Sequence, residues 1–445
     1  MIDVRPFVET LQGKDVAVYG LGVSNRAAVK ALSAAGATVV AWDDDADKRA
    51  HESLQQDGVE ISNLLDADMS RFGALILAPG IPLVHPEPHP IVIKALEHNI
   101  ELMCDLEVLH RSAHGLSVIG ITGTNGKSTT TALIGHILNE NGVNAAIGGN
   151  IGHAALDLDI DDCRFIVLEV SSFQLDLCPS FSADIGVLLN ITPDHLDRHD
   201  TMEAYADAKA RLFRGAGDAV IGRNEKITGK VHDAVKKSGE RDVYPIDVDV
   251  IADMEFPALS GAHNQQNIAA ALQACLLAGL EQDDILAAIE TFPGLMHRQF
   301  LTRTINGVAY VNDSKATNAD ATSKALACYD NIHWIVGGVA KDGGLAGLED
   351  FADKIVHAYV IGTDSDIFTD WLAEENIPYT VVGMLDVAVH EAHESAQEMR
   401  GQPGGAATIL LSPAAASFDQ FSNFEHRGDA FTQAVEALPE DAANG

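Results

Sequence analysis

Short, nearly unbroken apolar runs recur along the chain, and each ends in a polar or glycine-rich turn followed by a stretch with helical spacing. Residues 15–20 (DVAVYG) lead into an alanine-rich helical stretch ending at Ala35. A second run, 38–42, closes on Asp43, Asp44 and Asp45. The run 73–77 stops at Pro79-Gly80, after which 90–99 reads as helix and 100–103 as strand. The cycle restarts with 116–121, a glycine-rich turn and a helix pattern over 127–141, then adds strand-like runs at 165–170 and 185–190. A strongly helical segment at 263–280 is punctuated by Phe292-Pro293-Gly294. A third cycle places strands at 308–311, 333–336, 358–361 and 408–411. Runs without polar alternation suit strands covered on both faces, as in parallel sheets between helices.

A single core stops growing at roughly 250–300 residues, so a 445-residue chain needs several. The expected fold is α/β with three domains in series, 1–105, 106–294 and 295–445, the outer two Rossmann-like and the central one of P-loop type. With 47% hydrophobic and 21% charged residues the chain has the material for such cores. No apolar stretch approaches the roughly 18–20 residues of a membrane span. The beginning lacks the pattern of a secretory signal, so the expectation is a cytoplasmic protein. Lysine and arginine number 29 against 65 acidic residues, 29 − 65 = −36. That field repels nucleic acid and anionic lipid, and makes each cation inside a motif informative. Five scattered cysteines with no CxxC pair suggest neither a disulfide framework nor a zinc site.

The sharpest motif is TGTNGKST at 122–129, set between a strand and a helix pattern. Loop amides of Gly123, Thr124, Asn125 and Gly126 and the positive helix end would cradle phosphate oxygens. Lys127 would reach the β and γ phosphates, and Ser128 or Thr129 would hold Mg²⁺. The spacing departs from GxxxxGK[ST], since Ile stands at 121. Glu169 ends the run 165–170, well placed for the metal, and His195, beside Asp194, follows the run 185–190. Near the amino terminus Gly20-Leu-Gly22 resembles a dinucleotide fingerprint, but its third position is Asn25, which weakens an NAD reading; Asp43 and Asp44 would bond ribose hydroxyls of another nucleotide. In the last third NDSKATN (312–318), Lys341 and Ser417 each follow a strand and would grip an anionic substrate together.

Taken together, TGTNGKST, LEVSSFQL (168–175), GLMHR (294–298), NDSKATN and LSPAAASFDQFSNFEHRG (411–428) resemble the Mur ligases, ATP-dependent amide-forming enzymes of peptidoglycan assembly. The similarity runs collinearly through essentially the whole chain and is greatest to the members that add D-glutamate to UDP-N-acetylmuramoyl-L-alanine. The resemblance implies a first domain for the uridine diphosphate, a second for ATP, and a third that closes to present the amino acid. An acyl phosphate on the L-alanine carboxylate would be attacked by the D-glutamate amine. It further implies that Lys127, Ser128 and Thr129 serve ATP and a first Mg²⁺ with Glu169. His195 and a carbamylated Lys209 would hold a second Mg²⁺. Asn264, Asn267, His297, Arg298 and Asp313 would lie on the nucleotide side, and Asn150 would touch substrate. Lys315, Thr317, Lys341, Ser417 and Phe424 would frame D-glutamate; Val23, Ser24, Asp43 and the Pro79-Gly80-Ile81 turn would hold UDP. A monomer is expected.

Two departures stand out. The acids Asp43-Asp44-Asp45 occupy a place where many relatives carry a basic contact to UDP, and the turn before Lys341 reads Gly-Gly-Val-Ala in place of Gly-Gly-Asp-Gly. Competing readings are a folylpolyglutamate synthase or another Mur ligase, an NAD-dependent oxidoreductase, and a nucleotide-gated binding module without chemistry. The SSFQL and SPAAASFDQF segments speak against the first pair, and the ATP loop and Asn25 against the oxidoreductase. The set Lys127, Glu169, His195 and Lys209 would be superfluous in the binding module.

Overall fold

The computed structural model describes residues 2–55, 58–113, 115–223, 225–252, 254, 256, 259, 261–341, 343–399 and 407–439. The chain folds into two compact units, Met1–Met254 with His263–Phe292, and Glu255–Ala262 with Pro293–Gly445.

The first unit holds two sheets. One contains β1 (Asp15–Tyr19), β2 (Val39–Trp42), β3 (Val59–Ile61), β4 (Phe72–Leu77) and β5 (Glu101–Met103), all parallel, in the order β3-β2-β1-β4-β5. The other contains β6 (Ser117–Thr122), β7 (Ala145–Gly149), β8 (Phe165–Glu169), β9 (Ile185–Leu188), β10 (Gly217–Ile221) and β11 (Arg241–Pro245) in the order β11-β10-β9-β6-β8-β7. This sheet is also parallel throughout. Every residue of β8 and β9 is buried, as continuous apolar runs require when helices cover both faces. One apolar core runs through both sheets, from Phe7 and Val16 to Leu188 and Leu212.

The second unit carries β12 (Phe300–Ile305), β13 (Val308–Asn312), β14 (Ile332–Gly337), β15 (Ile355–Ile361), β16 (Tyr379–Gly383) and β17 (Thr408–Leu411), ordered β12-β13-β17-β14-β15-β16. Only β12 runs antiparallel. Cores lie on both sheet faces, one around Trp334 and Phe368, the other around Tyr310 and Phe431.

The apolar runs predict β1, β2, β4, β5, β6, β8, β9, β13, β14, β15 and β17. Six strands escape that reading, for physical reasons. β7 (AAIGG) and β10 (GDAVI) are rich in alanine and glycine, which have little strand preference. β3, β11 and β16 are edge strands with exposed residues. β12 is joined to β13 by Asn306-Gly307, both at positive φ, the two-residue hairpin turn that signals an antiparallel pair. Among the described residues no helix is long and apolar enough to cross a membrane.

Candidate active site

β6 lies in the middle of its sheet and delivers Thr122 to its carboxyl edge, where the loop 123–126 turns into the helix Lys127–Glu140. Gly126 is the residue before that helix, with φ +84, and no side chain caps the helix start. A Cβ on Gly126 would overlap Asn267 Oδ1, so the position requires glycine sterically as well as by conformation. The next strand over, β9, anchors the loop. Thr124 N donates to Asn190 O (2.9 Å), Asn125 N to Asn190 Oδ1 (2.8 Å), and Asn190 Nδ2 to Gln266 Oε1 (3.0 Å). Thr124 Oγ accepts from Thr192 N (3.0 Å). The helix start is thus held in place, and the glycine at its cap has no side chain to occupy the first amides, the arrangement that binds phosphate. Ser128 and Thr129 are buried in its first turn.

Two lysines converge on this loop. Lys127 Nζ donates to Gly123 O (2.9 Å) and Thr124 O (2.8 Å). Lys209, on the helix Met202–Ala210, is 1% exposed and donates to the same Gly123 O (2.8 Å), with its ammonium 4.4 Å from the Tyr205 ring centre. Burial, reinforced by the Lys127 charge, pushes the Lys209 ammonium well below the usual lysine range. Glu169 ends β8 beside them, 2% exposed. Its Oε1 accepts from Asn150 Nδ2 (2.9 Å), while its Oε2 is buried with no hydrogen-bond partner among the described residues. A buried carboxylate oxygen without a donor is what a cation would complete, so Glu169 fits the implied Mg²⁺. His195 has φ +52 and begins the four-residue helix Leu196–His199. Its ring packs 4.9 Å from Phe173, four residues beyond Glu169, and Nε2 lies 3.4 Å from Asp194 Oδ2. Among the described residues no three His, Cys, Asp or Glu side chains gather as a metal site. A cation completing Glu169 would draw its other ligands from oxygens of another kind, such as the Ser128 hydroxyl or phosphate. Asn264 and Asn267, on the helix Ala262–Leu277, are buried and bonded to each other (2.9 Å) against Gly126.

At the carboxyl edge of the first sheet, the helix Val23–Ala34 starts at Gly22 without a side-chain cap, leaving Val23 exposed and Ser24 half-buried. Asp43 turns inward: Oδ2 accepts from Leu21 N (2.6 Å) and Oδ1 from Asp45 N (2.9 Å), so it pins the Gly20–Gly22 turn. Asn25, in the third fingerprint position, donates to Tyr19 O (3.1 Å) and Gly20 O (2.8 Å). The acids here are not without cations. Lys48 Nζ lies 3.7 Å from Asp43, and Arg49 stacks 4.3 Å over Trp42 while donating to Asp43 O (2.6 Å). Gly80 is exposed in the turn after β4.

In the second unit His297 is buried, its Nδ1 3.3 Å from Asn312 Nδ2 and its Nε2 3.4 Å from Asp429. Asp313 is internal: Oδ2 accepts from Ser412 Oγ (2.7 Å) and Oδ1 from Gln299 N (3.1 Å). Burial raises its carboxyl to about 7, opposed by those bonds and by Arg298. Lys315 sits 5.5 Å from the Phe424 ring centre, and Lys341 Nζ donates to Thr317 Oγ (3.3 Å). Val339 and Ala416 exchange backbone hydrogen bonds of 2.9 Å, which brings the Lys341 loop beside the loop carrying buried Ser417. The Gly-Gly-Val-Ala turn is therefore compatible with its role. Gly338 has φ +133 and no room for a Cβ against Ala416 O, whereas Val339 serves through its backbone.

Sequence reasoning overlooked the residues that hold the loops in place. Arg427 is 1% exposed and donates to Ser314 Oγ (3.0 Å), Ser314 O (2.8 Å) and Ala415 O (3.1 Å), tying the NDSKATN loop to the SPAAAS loop. Burial lowers its guanidinium to about 10. A cation within the longest motif of so acidic a chain was the available signal. Asn190, Gln266 and Tyr205 carry no signal outside the fold.

An uncapped helix start, two convergent lysines and a buried acid at one parallel-sheet edge define a nucleotide-phosphate site of P-loop type. The family model for the Mur ligase middle domain matches residues 121–275, the segment that builds this site. The protein named "UDP-N-acetylmuramoylalanine--D-glutamate ligase" from Rhizobium meliloti is 44% identical, with 97% of this chain and 98% of that protein covered. Its namesake from Brucella abortus is 43% identical, with 97% of each covered. In fold, the chain is similar to the UDP-N-acetylmuramate-alanine ligase of Thermotoga maritima (TM-score 0.58, 15% identity, 95% of this chain and 99% of that one). The chain belongs to the Mur ligase family.

Proposed function

We propose that this chain is an ATP-dependent ligase that joins D-glutamate to UDP-N-acetylmuramoyl-L-alanine through an acyl phosphate, in cytoplasmic peptidoglycan precursor synthesis. The observation that carries the reading is the meeting of Lys127 and Lys209 on Gly123 O at an open helix start, beside the donorless oxygen of Glu169. In a chain with net charge −36, a half-buried lysine at an open helix start favours a polyphosphate, and the second, Lys209, is desolvated enough to lose its proton.

In this reading the amides of Gly123 and of 126–129 hold the ATP phosphates in line with the L-alanine carboxylate, those of Thr124 and Asn125 being bonded to Asn190 instead, and Lys127 follows the transferring phosphoryl group as its charge spreads. Asn264 and Asn267, with His297, Arg298 and Asp313, belong to the nucleotide side. Asn150 fixes the rotamer of Glu169 through Oε1, leaving Oε2 for Mg²⁺. Bound Mg²⁺ supplies charge neutralisation at the phosphate oxygens and the acyl oxygen. Ser128, Glu169 and His195, with Lys209 as its carbamate, hold the two ions. The depressed Lys209 ammonium supports carbamylation, since only the neutral amine adds CO₂. Val23, Ser24 and Gly80 serve UDP, Asp43 acting through the Gly20–Gly22 turn that its carboxylate holds rather than by binding ribose itself, and Lys315, Thr317, Lys341, Ser417 and Phe424 hold D-glutamate on the second unit. The domain division 1–105, 106–294 and 295–445 belongs to the same proposal.

The test is phosphate release from ATP with UDP-N-acetylmuramoyl-L-alanine and one of D-glutamate, L-glutamate, meso-diaminopimelate or no acceptor. Release above background only with D-glutamate is expected. Equal release with every acceptor, or none with any, refutes the assignment.

A further inference from the structure

We propose that Arg198 is a substrate-binding residue whose guanidinium receives an oxyanion of the nucleotide-sugar substrate; the inference rests on the function proposed above. Arg198 lies in the short helix Leu196–His199 and is 8% exposed. Its five N–H groups make one hydrogen bond among the described residues, from Nη2 to Pro79 O at 3.3 Å, and no carboxylate of those residues lies within ion-pair distance. The acid closest to serving it, Asp176, is taken by Arg211 Nη1 (2.7 Å) and faces His199 Nδ1 (3.6 Å). Asp176 and Asp197 act on it only through the electrostatic field, without an ion pair, so in a chain with more than twice as many acids as cations this buried arginine keeps most of its donors for something else.

Its place in the fold says what that is. Pro79 belongs to the turn that follows β4, and Ala78 and Ile81 of that turn lie so close to Gly20 that a Cβ there would come within 2.6 and 3.0 Å of them. The turn is therefore one wall of the sheet edge where the helix Val23–Ala34 presents its uncapped amides. On its other side the guanidinium packs 5.1 Å from the Phe173 ring, whose neighbour at 4.9 Å is His195. Arg198 thus stands between the turn at the nucleotide-binding edge and the imidazole beside the phosphate loop. A substrate with a diphosphate at one end and a carboxylate at the other must pass it, and both groups offer the oxyanion that a guanidinium binds in fork geometry.

The experiment uses the full-length enzyme and the variants Arg198→Met and Arg198→Lys. KM is measured for UDP-N-acetylmuramoyl-L-alanine and for ATP, UDP affinity by calorimetry, and Tm by thermal denaturation. The expected result for Arg198→Met is a nucleotide-sugar KM raised by roughly 10- to 100-fold with ATP KM within about twofold, and Arg198→Lys between it and the native enzyme. UDP affinity falling in parallel identifies the diphosphate as the partner; unchanged UDP affinity with weakened full substrate identifies the carboxylate. A nucleotide-sugar KM within about twofold of native, or a parallel loss for ATP and nucleotide sugar accompanied by a lowered Tm, overturns the proposal. Failure of the native enzyme to bind any UDP compound would instead overturn the function on which it rests.

Discussion

Replacing Gly126 by alanine isolates the requirement that shapes the phosphate loop. An L-residue at φ +84 costs about 1–2 kcal/mol. The new Cβ would also overlap Asn267 Oδ1 and lie 3.1 Å from Leu189 Cδ1. Relief requires Asn267 to move, which breaks its buried bond to Asn264, about 1 kcal/mol, and strains the surrounding packing by about 1 kcal/mol more. The sum is about 3–4 kcal/mol. Gly142→Ala is the control, because Gly142 has φ +70 but nothing within 4 Å of a Cβ, so it bears only the conformational cost of about 1–2 kcal/mol. At about 2–4 °C per kcal/mol for a unit of this size, Gly126→Ala should melt some 4–8 °C below Gly142→Ala. It should also raise the KM for ATP, which Gly142→Ala should leave alone. Equal melting temperatures and equal ATP KM in the two variants would show that the contact between Gly126 and Asn267 is not what demands glycine.

Lys127→Ala should lose roughly 10²-fold or more in turnover with Tm nearly unchanged, as measured by phosphate release and thermal denaturation; near-native turnover would dismiss the phosphate-loop assignment. Lys209→Ala should be nearly inactive and partly restored by added formate or acetate in the same assay, whereas a fully active variant would exclude a carbamate ligand. His333 is wholly buried with Nε2 unpartnered among the described residues, and burial lowers its pKa to about 4, while the unfolded chain titrates near 6.5. Between those values the unfolded state takes up a proton that the folded state refuses, so stability is full above about pH 6.5 and declines as pH falls toward 4. His333→Phe should flatten that decline in denaturant titrations, leaving the part due to His199, whose pKa burial also lowers to about 4; identical pH slopes would contradict the argument.

The sequence alone determined the doubly covered strands, because burial on both faces demands unbroken apolar runs such as FIVLE and IGVL. It also determined the phosphate loop, since glycine, lysine and hydroxyl residues at fixed spacing after a strand have few other uses. The edge strands β3 and β16 and the antiparallel β12 were illegible or only faintly marked, being exposed, short or poor in branched residues. What only the tertiary structure decided is which polar groups meet. Asp43 turns inward to hold a turn, Asn150 sets the rotamer of Glu169, and Lys127 and Lys209, 82 residues apart, share one carbonyl oxygen. Arg198 and Arg427 have ordinary neighbours in the chain; their significance comes from desolvation, which exists only once the chain has folded around them.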